Sequence, residues 1–250
     1  DAPEDLQAPP PLPNLPTDVA TAVDTALANN PDLRATYARV EAARANAEAT
    51  YGRSLPSIGA GGRAAASRNV TEVGGEPVNI DAPSYRISAN ASWEPDLWGR
   101  IGAGISASQA DLAASEADFA AARLALAGRT AIAWIQLSDA VRQQTLAEAT
   151  LEARESTLRL TERRFRNGLV DALDVRLARS AVASSEASLI ARSQQTGLAR
   201  RSMEILLGRY PATEIAATRE PFVLPAIGNA GDPTNLLARR PDIAAAEARI

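Results

Sequence analysis

The chain has 250 residues, 26 basic and 30 acidic side chains, a formal net charge of -4, and neither Cys nor His. Every basic residue is Arg, so the chain lacks the groups that build Ser-His-Asp triads, Schiff bases, P-loops and most transition-metal sites. Carboxylate catalysis remains possible, but we expect no catalytic residue, no metal and no cofactor. The mild acidity argues against a nucleic-acid partner, which a basic patch would attract.

The first segments predict a strap and two helices. Residues 1–16 are rich in proline and are typical of an extended strap. A short helix is expected over 17–30, with Thr17 or Asp18 as its cap, and a second over 31–52. Alanine supplies much of the 46% apolar fraction and aromatics only 4%. We therefore expect helices that pack closely through small residues.

The next segment alternates between apolar and polar residues, as β-strands do. Residues 58–68 alternate weakly and residues 84–93 cleanly, and about ten alternating residues match a tilted transmembrane strand. Glycines and prolines between Val70 and Pro83 predict a long hairpin loop. A soluble, half-buried hairpin explains this pattern equally well. No apolar run approaches the roughly 18 residues of a membrane-spanning helix.

A very long helix is predicted over residues 100–167, which contain no proline. One α-helix of that length would measure about 100 Å. Large apolar residues recur at seven-residue spacing: Ile105, Leu112, Phe119 and Leu126, then Leu137, Leu151, Leu158 and Phe165, with the polar Gln144 as the one exception between Leu137 and Leu151. This spacing indicates a coiled-coil seam. Glu155 with Arg159, and Glu162 with Arg166, are expected to pair on the solvated face.

A second long helix is predicted over 173–207. Gly168 is suited to end the first helix and Asp171 or Asp174 to begin the second, so the two form a helical hairpin. Two seven-residue series run along the second helix: Val175, Val182, Leu189, Thr196 and Met203, and beside them Leu177, Ser184, Ala191, Leu198 and Ile205. Two series predict neighbours on two sides, as in a ring of helices; a free-standing coiled coil is the alternative.

The chain also contains an internal repeat. The segment 31–40 aligns with 241–250, sharing the Pro-Asp start, two alanines and an arginine. We interpret the second copy as the beginning of a second structural repeat, which predicts a protein of about 450 residues.

One motif resembles a known family. Trp93–Arg100 reads Trp-Glu-Pro-Asp-Leu-Trp-Gly-Arg and closely resembles the signature of outer-membrane efflux factors. These are the TolC-like proteins, here in the branch containing OprM and the NodT-type lipoproteins. The segments Ala114–Asp118, Leu207-Gly208 and Arg239–Asp242 are similar as well. The resemblance covers nearly the whole chain.

The resemblance implies a mainly α fold with membrane β-structure. Each of three protomers would contribute two repeats, so that twelve strands form one outer-membrane β-barrel and the long helices form a periplasmic α-barrel. The implied domains are 1–54, strap and equatorial helices; 55–97, transmembrane β-hairpin; 98–208, periplasmic helical hairpin; and 209–250, linker and start of the second repeat. Many relatives carry a lipidated N-terminal Cys, which here would lie before Asp1 or be absent.

The resemblance also implies candidate sites. It assigns contact with a periplasmic adaptor protein to the tip near 167–174, at Gly168, Leu169 and Val170. Asn167 departs from the family pattern, which has valine there. Asp171 and Asp174 would line a cation-sensitive aperture; their alternative role is to cap the second helix. Residues at the membrane interface would be Tyr85, Trp93 and Trp98. Packing at the strand-helix corner is an equal alternative for Trp98.

The function implied is a passive duct that exports drugs or other small solutes across the outer membrane. Such a duct is not an enzyme, and its energy would come from an inner-membrane pump joined to it through the adaptor. One alternative is the same architecture serving type I protein secretion. A soluble coiled-coil scaffold, a periplasmic adaptor and a carboxylate-dependent hydrolase are the others.

Overall fold

The computed structural model describes residues 16–73, 76–216 and 240–250. Its elements are α1 (Thr17–Asn29), α2 (Pro31–Gly52), β1 (Ser57–Val73), β2 (Glu76–Ser92), α3 (Arg100–Arg166), α4 (Ala172–Leu206) and α5 (Pro241–Ala248). The expected mainly α fold with one β-hairpin is confirmed. Two compact units divide these residues: a helical unit, 16–40, 114–216 and 240–248, and a hairpin unit, 41–113. Most of the strap predicted over 1–16 and the central part of the segment predicted over 209–250 lie outside the described residues, at 1–15 and 217–239.

The start of α1 differs from the expectation that Thr17 or Asp18 caps it. Pro16 holds the N-cap position, and no side chain caps the helix. Thr17 is already the first helical residue, and the fixed φ of proline suits the chain just before it. At α2 the cap is Asn30, whose side-chain oxygen accepts hydrogen bonds from the N–H groups of Asp32 and Leu33, at 3.0 and 3.1 Å.

The predicted long helices are confirmed, with 67 residues in α3 and 35 in α4. Gly168 follows α3 with φ +69°, the left-handed conformation that glycine adopts without cost. The N–H of Leu169 donates to the Arg164 carbonyl at 2.9 Å and that of Gly168 to the Phe165 carbonyl at 3.0 Å. These two bonds form a Schellman motif, which ends the helix and turns the chain.

The helices α3 and α4 pack against each other in antiparallel orientation. Near one end of the pair, the Thr196 hydroxyl donates to the Ala140 carbonyl at 3.1 Å. Nearer the turn, Arg179 donates to the Glu162 carboxylate at 2.9 Å. The expected pair of Glu162 with Arg166 is therefore wrong, because the carboxylate binds a guanidinium of the facing helix instead. The other expected pair, Glu155 with Arg159, is present at 3.7 Å.

The helical unit has a buried apolar core. Its most buried side chains include Val19 and Val23 of α1, Leu137 of α3 and Met203 of α4. Phe119 and Leu126, from the predicted seam of α3, are buried as well. The ring of Tyr37 lies 5.5 Å from that of Phe119, and the Arg123 guanidinium lies 6.0 Å above the same ring. Burial lowers the pKa of Arg123.

The two predicted series on α4 have different environments. Val175, Thr196 and Met203, from the first series, are buried within this chain. All five members of the second series are exposed: Leu177, Ser184, Ala191, Leu198 and Ile205. Its three large side chains are each more than half exposed. One of the two predicted neighbours is thus another part of the same chain, and the second apolar stripe is not covered by the described residues.

The chain turns sharply after α4. Gly208 has φ +70°, and a Cβ at this position would overlap the Asn29 carbonyl oxygen. Beyond the turn, the buried carboxylate of Glu204 accepts hydrogen bonds from the N–H groups of Thr213, Glu214 and Ile215, at 2.8, 2.6 and 3.1 Å. Burial alone would raise the pKa of Glu204, but these bonds together outweigh it and hold the pKa below its ordinary value.

The hairpin is longer than expected. β1 and β2 pair antiparallel over 17 residues each, from Ser57 opposite Ser92 to Val73 opposite Glu76. The predicted loop from Val70 to Pro83 is therefore wrong. Pro77 and Pro83 are six residues apart, so their nitrogens point to the same edge of β2. Proline fits a strand where an N–H would point away from the partner strand, which is why the ladder continues past both.

No helix in the described part of the chain has both the length and the apolar character needed to cross a membrane.

Candidate functional site

The β-hairpin has one apolar and one polar face. Directly opposed residues of antiparallel strands share a face. The apolar face carries Ile58, Ala60, Gly62, Ala64 and Ala66 of β1, opposite Ala91, Ala89, Ile87, Tyr85 and Pro83 of β2. The polar face carries Ser57, Gly59, Gly61, Arg63, Ala65 and Ser67 of β1 and Ser92, Asn90, Ser88, Arg86 and Ser84 of β2.

The apolar face is open. Ile58 and Tyr85 are exposed by more than four fifths, and Ile87 by 94%. The band from Ile58 to Ala66 measures about 27 Å at roughly 3.4 Å per residue. Outer-membrane barrels present an outward apolar band about 25 Å tall. The hairpin therefore has the length and pattern of a surface that contacts lipid.

An ion pair marks one end of this apolar band. Arg68 lies opposite Asp81 on the same face, one pair beyond Ala66 and Pro83. The guanidinium donates to both carboxylate oxygens, at 2.7 and 3.2 Å. A bidentate pair at this position suits the polar boundary of a membrane better than its interior.

Aromatic residues lie at one end of the apolar band and within it. Trp93 follows β2, and its indole N–H donates to the Ser54 carbonyl at 3.1 Å. Tyr85 lies within the band, opposite Ala64, one pair before Ala66 and Pro83. Trp98 is 90% exposed, so the interpretation that it packs at the strand-helix corner is not supported. The structure thus separates Tyr85 from the two tryptophans, which the sequence grouped with it.

The motif that contains both tryptophans builds the start of α3. The Asp96 carboxylate accepts a hydrogen bond from the Gly102 N–H at 2.7 Å, and Glu94 pairs with Arg100 at 2.7 Å. The hydrogen bond from Gly102 is the main cause that lowers the pKa of Asp96. Gly99 has φ +74°, which explains glycine at the bend. These residues position the junction between strand and helix.

The tip of the helical hairpin is a second candidate site. Leu169 is largely exposed, although it is apolar and immediately follows Gly168. Asp171 and Asp174 form a capping box at the start of α4, in which the Asp174 carboxylate accepts the Asp171 N–H at 3.2 Å. Their alternative role as helix caps is therefore observed. Across the described ranges, no group of three acidic side chains is arranged to hold a metal ion.

Sequence reasoning missed one feature, the direct pairing of Arg63 with Arg86. The register places these two residues opposite each other on the polar face. Gly74-Gly75 is a dipeptide typical of two-residue hairpin turns and could have revealed the pairing. A two-residue turn between paired strands fixes the register of every pair in the ladder, whereas a long loop leaves it open.

Comparison with known proteins agrees with this geometry. The profile of a family described as "Outer membrane efflux protein" matches residues 22–209. Outer membrane protein OprJ of Pseudomonas aeruginosa is 32% identical over 232 residues, 91% of this chain and 48% of that protein. The pyoverdine export outer membrane protein OpmQ of the same species is 33% identical over 241 residues, covering 93% and 50%. The chain thus spans about half the length of these relatives.

A solved structure is also similar. The crystal structure of a membrane protein from Pseudomonas aeruginosa superimposes with a TM-score of 0.80 at 31% identity. The match covers 94% of this chain and 55% of that one. The helices and hairpin described above therefore occur together in a protein solved by crystallography.

Proposed function

Because the chain belongs to the outer membrane efflux protein family, we propose that the protein is the outer-membrane channel of a tripartite efflux system. It is a passive duct that exports drugs or other small solutes from the periplasm to the exterior. The observation that carries this proposal is the hairpin with an exposed apolar face and a polar face over the same residues. Such a hairpin is stable in a membrane only when its edges pair with further strands in a closed barrel.

Transport in this proposal needs no chemistry by the protein itself. The polar face of the hairpin, with its serines, asparagine and arginines, lines a water-filled lumen, and the apolar face meets lipid. No bond of the solute is made or broken, so the protein is not an enzyme. The energy comes from the inner-membrane pump to which the duct is joined.

The second apolar stripe of α4 supports assembly into a homotrimer. Leu177, Leu198 and Ile205 are exposed in this chain, although they repeat at coiled-coil spacing. A neighbouring helix from another protomer would bury them and close a ring of helices. Small residues in the same series, Ser184 and Ala191, allow that helix to approach closely.

The tip is proposed to meet the periplasmic adaptor. Gly168, Leu169 and Val170 form the turn, and the exposed Leu169 offers an apolar contact. Asp171 and Asp174 are proposed to surround the aperture while they cap α4. Opening is then a rearrangement of the turn between two states, biased by the adaptor.

Drug accumulation in living cells tests this proposal. Cells that lack their own outer-membrane channel would express either the full-length wild type or the variant Leu169→Asp. The accumulation of a fluorescent drug in these cells would then be measured. We expect the wild type to lower accumulation and the variant to fail, since a charge at the apolar tip opposes docking. Leu160→Asp, on the exposed side of α3 away from the turn, is the matched control.

Two results would contradict the proposal. One is unchanged drug accumulation when the wild type is expressed together with its adaptor and pump. The other is a protein that fractionates as a water-soluble monomer without detergent, which would favour a coiled-coil scaffold.

A further inference from the structure

The polar face of the hairpin carries a pair of positive charges that no carboxylate among the described residues compensates. Arg63 and Arg86 are directly opposed in the register, and both side chains are exposed. The neighbouring residues on this face are uncharged: Gly61 and Ser88 on one side, Ala65 and Ser84 on the other. Like charges directly opposite each other destabilise a strand pair. The pair therefore does not serve the stability of the hairpin.

The depth of this pair along the hairpin is informative. The flanking pairs on the apolar face are Gly62 with Ile87 and Ala64 with Tyr85, so the arginines lie at the middle of the apolar band. On a lipid-facing surface at that depth each arginine would cost about 2–4 kcal/mol. Both guanidinium groups must therefore face water, which at this depth means the lumen of a barrel.

We propose that Arg63 and Arg86 form an anion-attracting site in the lumen, which makes the duct favour anionic solutes over cationic ones. The inference rests on the proposed duct and trimer, in which three hairpins bring six guanidinium groups to one level. Carboxylate, sulfonate and phosphate groups are the ligands that a guanidinium binds best, through paired N–H donors.

The dimensions allow these charges to act on a passing solute. Twelve strands about 4.8 Å apart enclose a lumen with a radius on the order of 10 Å. The Debye length is about 8 Å at physiological ionic strength, so the potential of the wall extends across much of the lumen. A low-dielectric barrel wall in lipid strengthens this field, because it focuses field lines into the water-filled channel.

Single-channel recording tests the inference directly. Two proteins would be inserted into planar bilayers: the full-length wild type and the double variant Arg63→Gln/Arg86→Gln. The KCl gradient would be kept at about 0.1 M, where screening of the charges is weak. The reversal potential gives the chloride-to-potassium permeability ratio. We expect the double variant to lower this ratio about threefold or more, and each single variant to lower it less.

Two matched variants separate charge from other effects. Arg63→Lys/Arg86→Lys keeps both charges and should keep the wild-type ratio. Arg68→Gln removes a charge from the same strand but from the opposite face, and should also leave the ratio unchanged. A lysine variant that behaves like the glutamine variant would overturn the electrostatic explanation.

The outcomes distinguish this inference from the proposed function. A wild type that never conducts would refute the duct itself. If the wild type conducts and the glutamine variant has the same reversal potential, the duct stands and the anion site is refuted. If the double variant does not insert, the salt dependence of the wild type tests the inference. The chloride-to-potassium permeability ratio of the wild type must fall at about 1 M KCl, where the Debye length is about 3 Å. A ratio that does not change with salt would overturn the inference.

Discussion

The helical unit and the β-hairpin treat their apolar side chains in opposite ways. Leu137 and Met203 of the helical unit are fully buried, whereas Ile58 and Ile87 of the hairpin are almost fully exposed. The helices therefore carry their own core, while the hairpin has apolar residues without a protein partner among the described residues. The helical unit therefore buries apolar side chains within its own chain. The apolar face of the hairpin depends instead on the medium that surrounds it.

The same contrast recurs within α4. Three of the five members of its first seven-residue series are buried against their own chain, whereas the second series is exposed throughout although its spacing is identical. Spacing alone does not reveal which apolar stripe a chain covers for itself. Four experiments test this contrast between regions that bury their apolar side chains within the chain and regions that leave them exposed.

The largest effect is expected in the core of the helical unit. Leu137→Ala should lower the free energy of unfolding by about 2–5 kcal/mol, because it removes buried methyl groups and leaves a cavity. Leu137→Met, which nearly conserves volume, should cost less than about 1.5 kcal/mol. Denaturant unfolding of the detergent-solubilised protein, followed by helical circular dichroism, measures both. Equal losses in the two variants would argue against a closely packed core.

A charge on each face of the hairpin tests which face meets lipid. Ile87→Arg places a charge on the apolar face and should oppose insertion by about 2–4 kcal/mol. Ser88→Arg adds the same charge to the adjacent polar-face position and should insert normally. The fraction of protein recovered in folded, membrane-inserted form after refolding with lipid vesicles measures the difference. Reversed behaviour of the two variants would invert the assignment of the faces.

Two glycine-to-alanine substitutions, one inside α3 and one in the turn after it, should change the stability of the protein in opposite directions. Gly168→Ala should destabilise the protein by about 1–2 kcal/mol, because the residue has φ +69° and alanine resists that conformation. Gly128→Ala lies inside α3 with no neighbouring atom in the way and should stabilise it by about 1 kcal/mol. Paired thermal unfolding curves give both values. A stabilising effect at position 168 would mean that the tip does not hold the left-handed turn.

The smallest effect concerns pH. The pKa of Glu204 is lowered in the folded protein, so its contribution is fully present above the unfolded value of about 4.3. That contribution disappears as the pH falls through the folded pKa. The wild type should therefore lose more thermal stability than Glu204→Gln between about pH 7 and pH 3. Parallel losses in the two proteins would exclude this role for the carboxylate.

Much of this fold follows from local signals in the sequence. The long helices, the turn at Gly168 and the start at Pro31 depend on proline, glycine and apolar spacing, which act over a few residues. The outer-membrane location is confirmed as well, since the relatives are named as outer-membrane proteins. The motif Trp93–Arg100, whose residues form the junction between β2 and α3, resembles the signature of the family to which the chain belongs.

Other features depend on contacts that local patterns do not encode. The segment from Val70 to Pro83 was predicted as a loop because glycine and proline usually interrupt strands, yet both prolines lie where no ladder bond is needed. Glu204 binds N–H groups nine to eleven residues further along the chain, and only the turn after α4 brings them together. The pairing of Arg63 with Arg86 follows from the register of the two strands, which the prediction of a loop over residues 70–83 left open.

The two prolines of β2 have a consequence for the time before the hairpin reaches lipid. A newly made hairpin exposes apolar side chains and free strand edges, the usual starting point for aggregation. Pro77 and Pro83 remove two N–H donors from the same edge of β2, so a second copy that pairs there by mistake gains fewer hydrogen bonds. The edge of β1 keeps its donors and remains the more favourable template. Aggregation of unassembled copies through the edge of β2 is therefore less favourable than aggregation through the edge of β1.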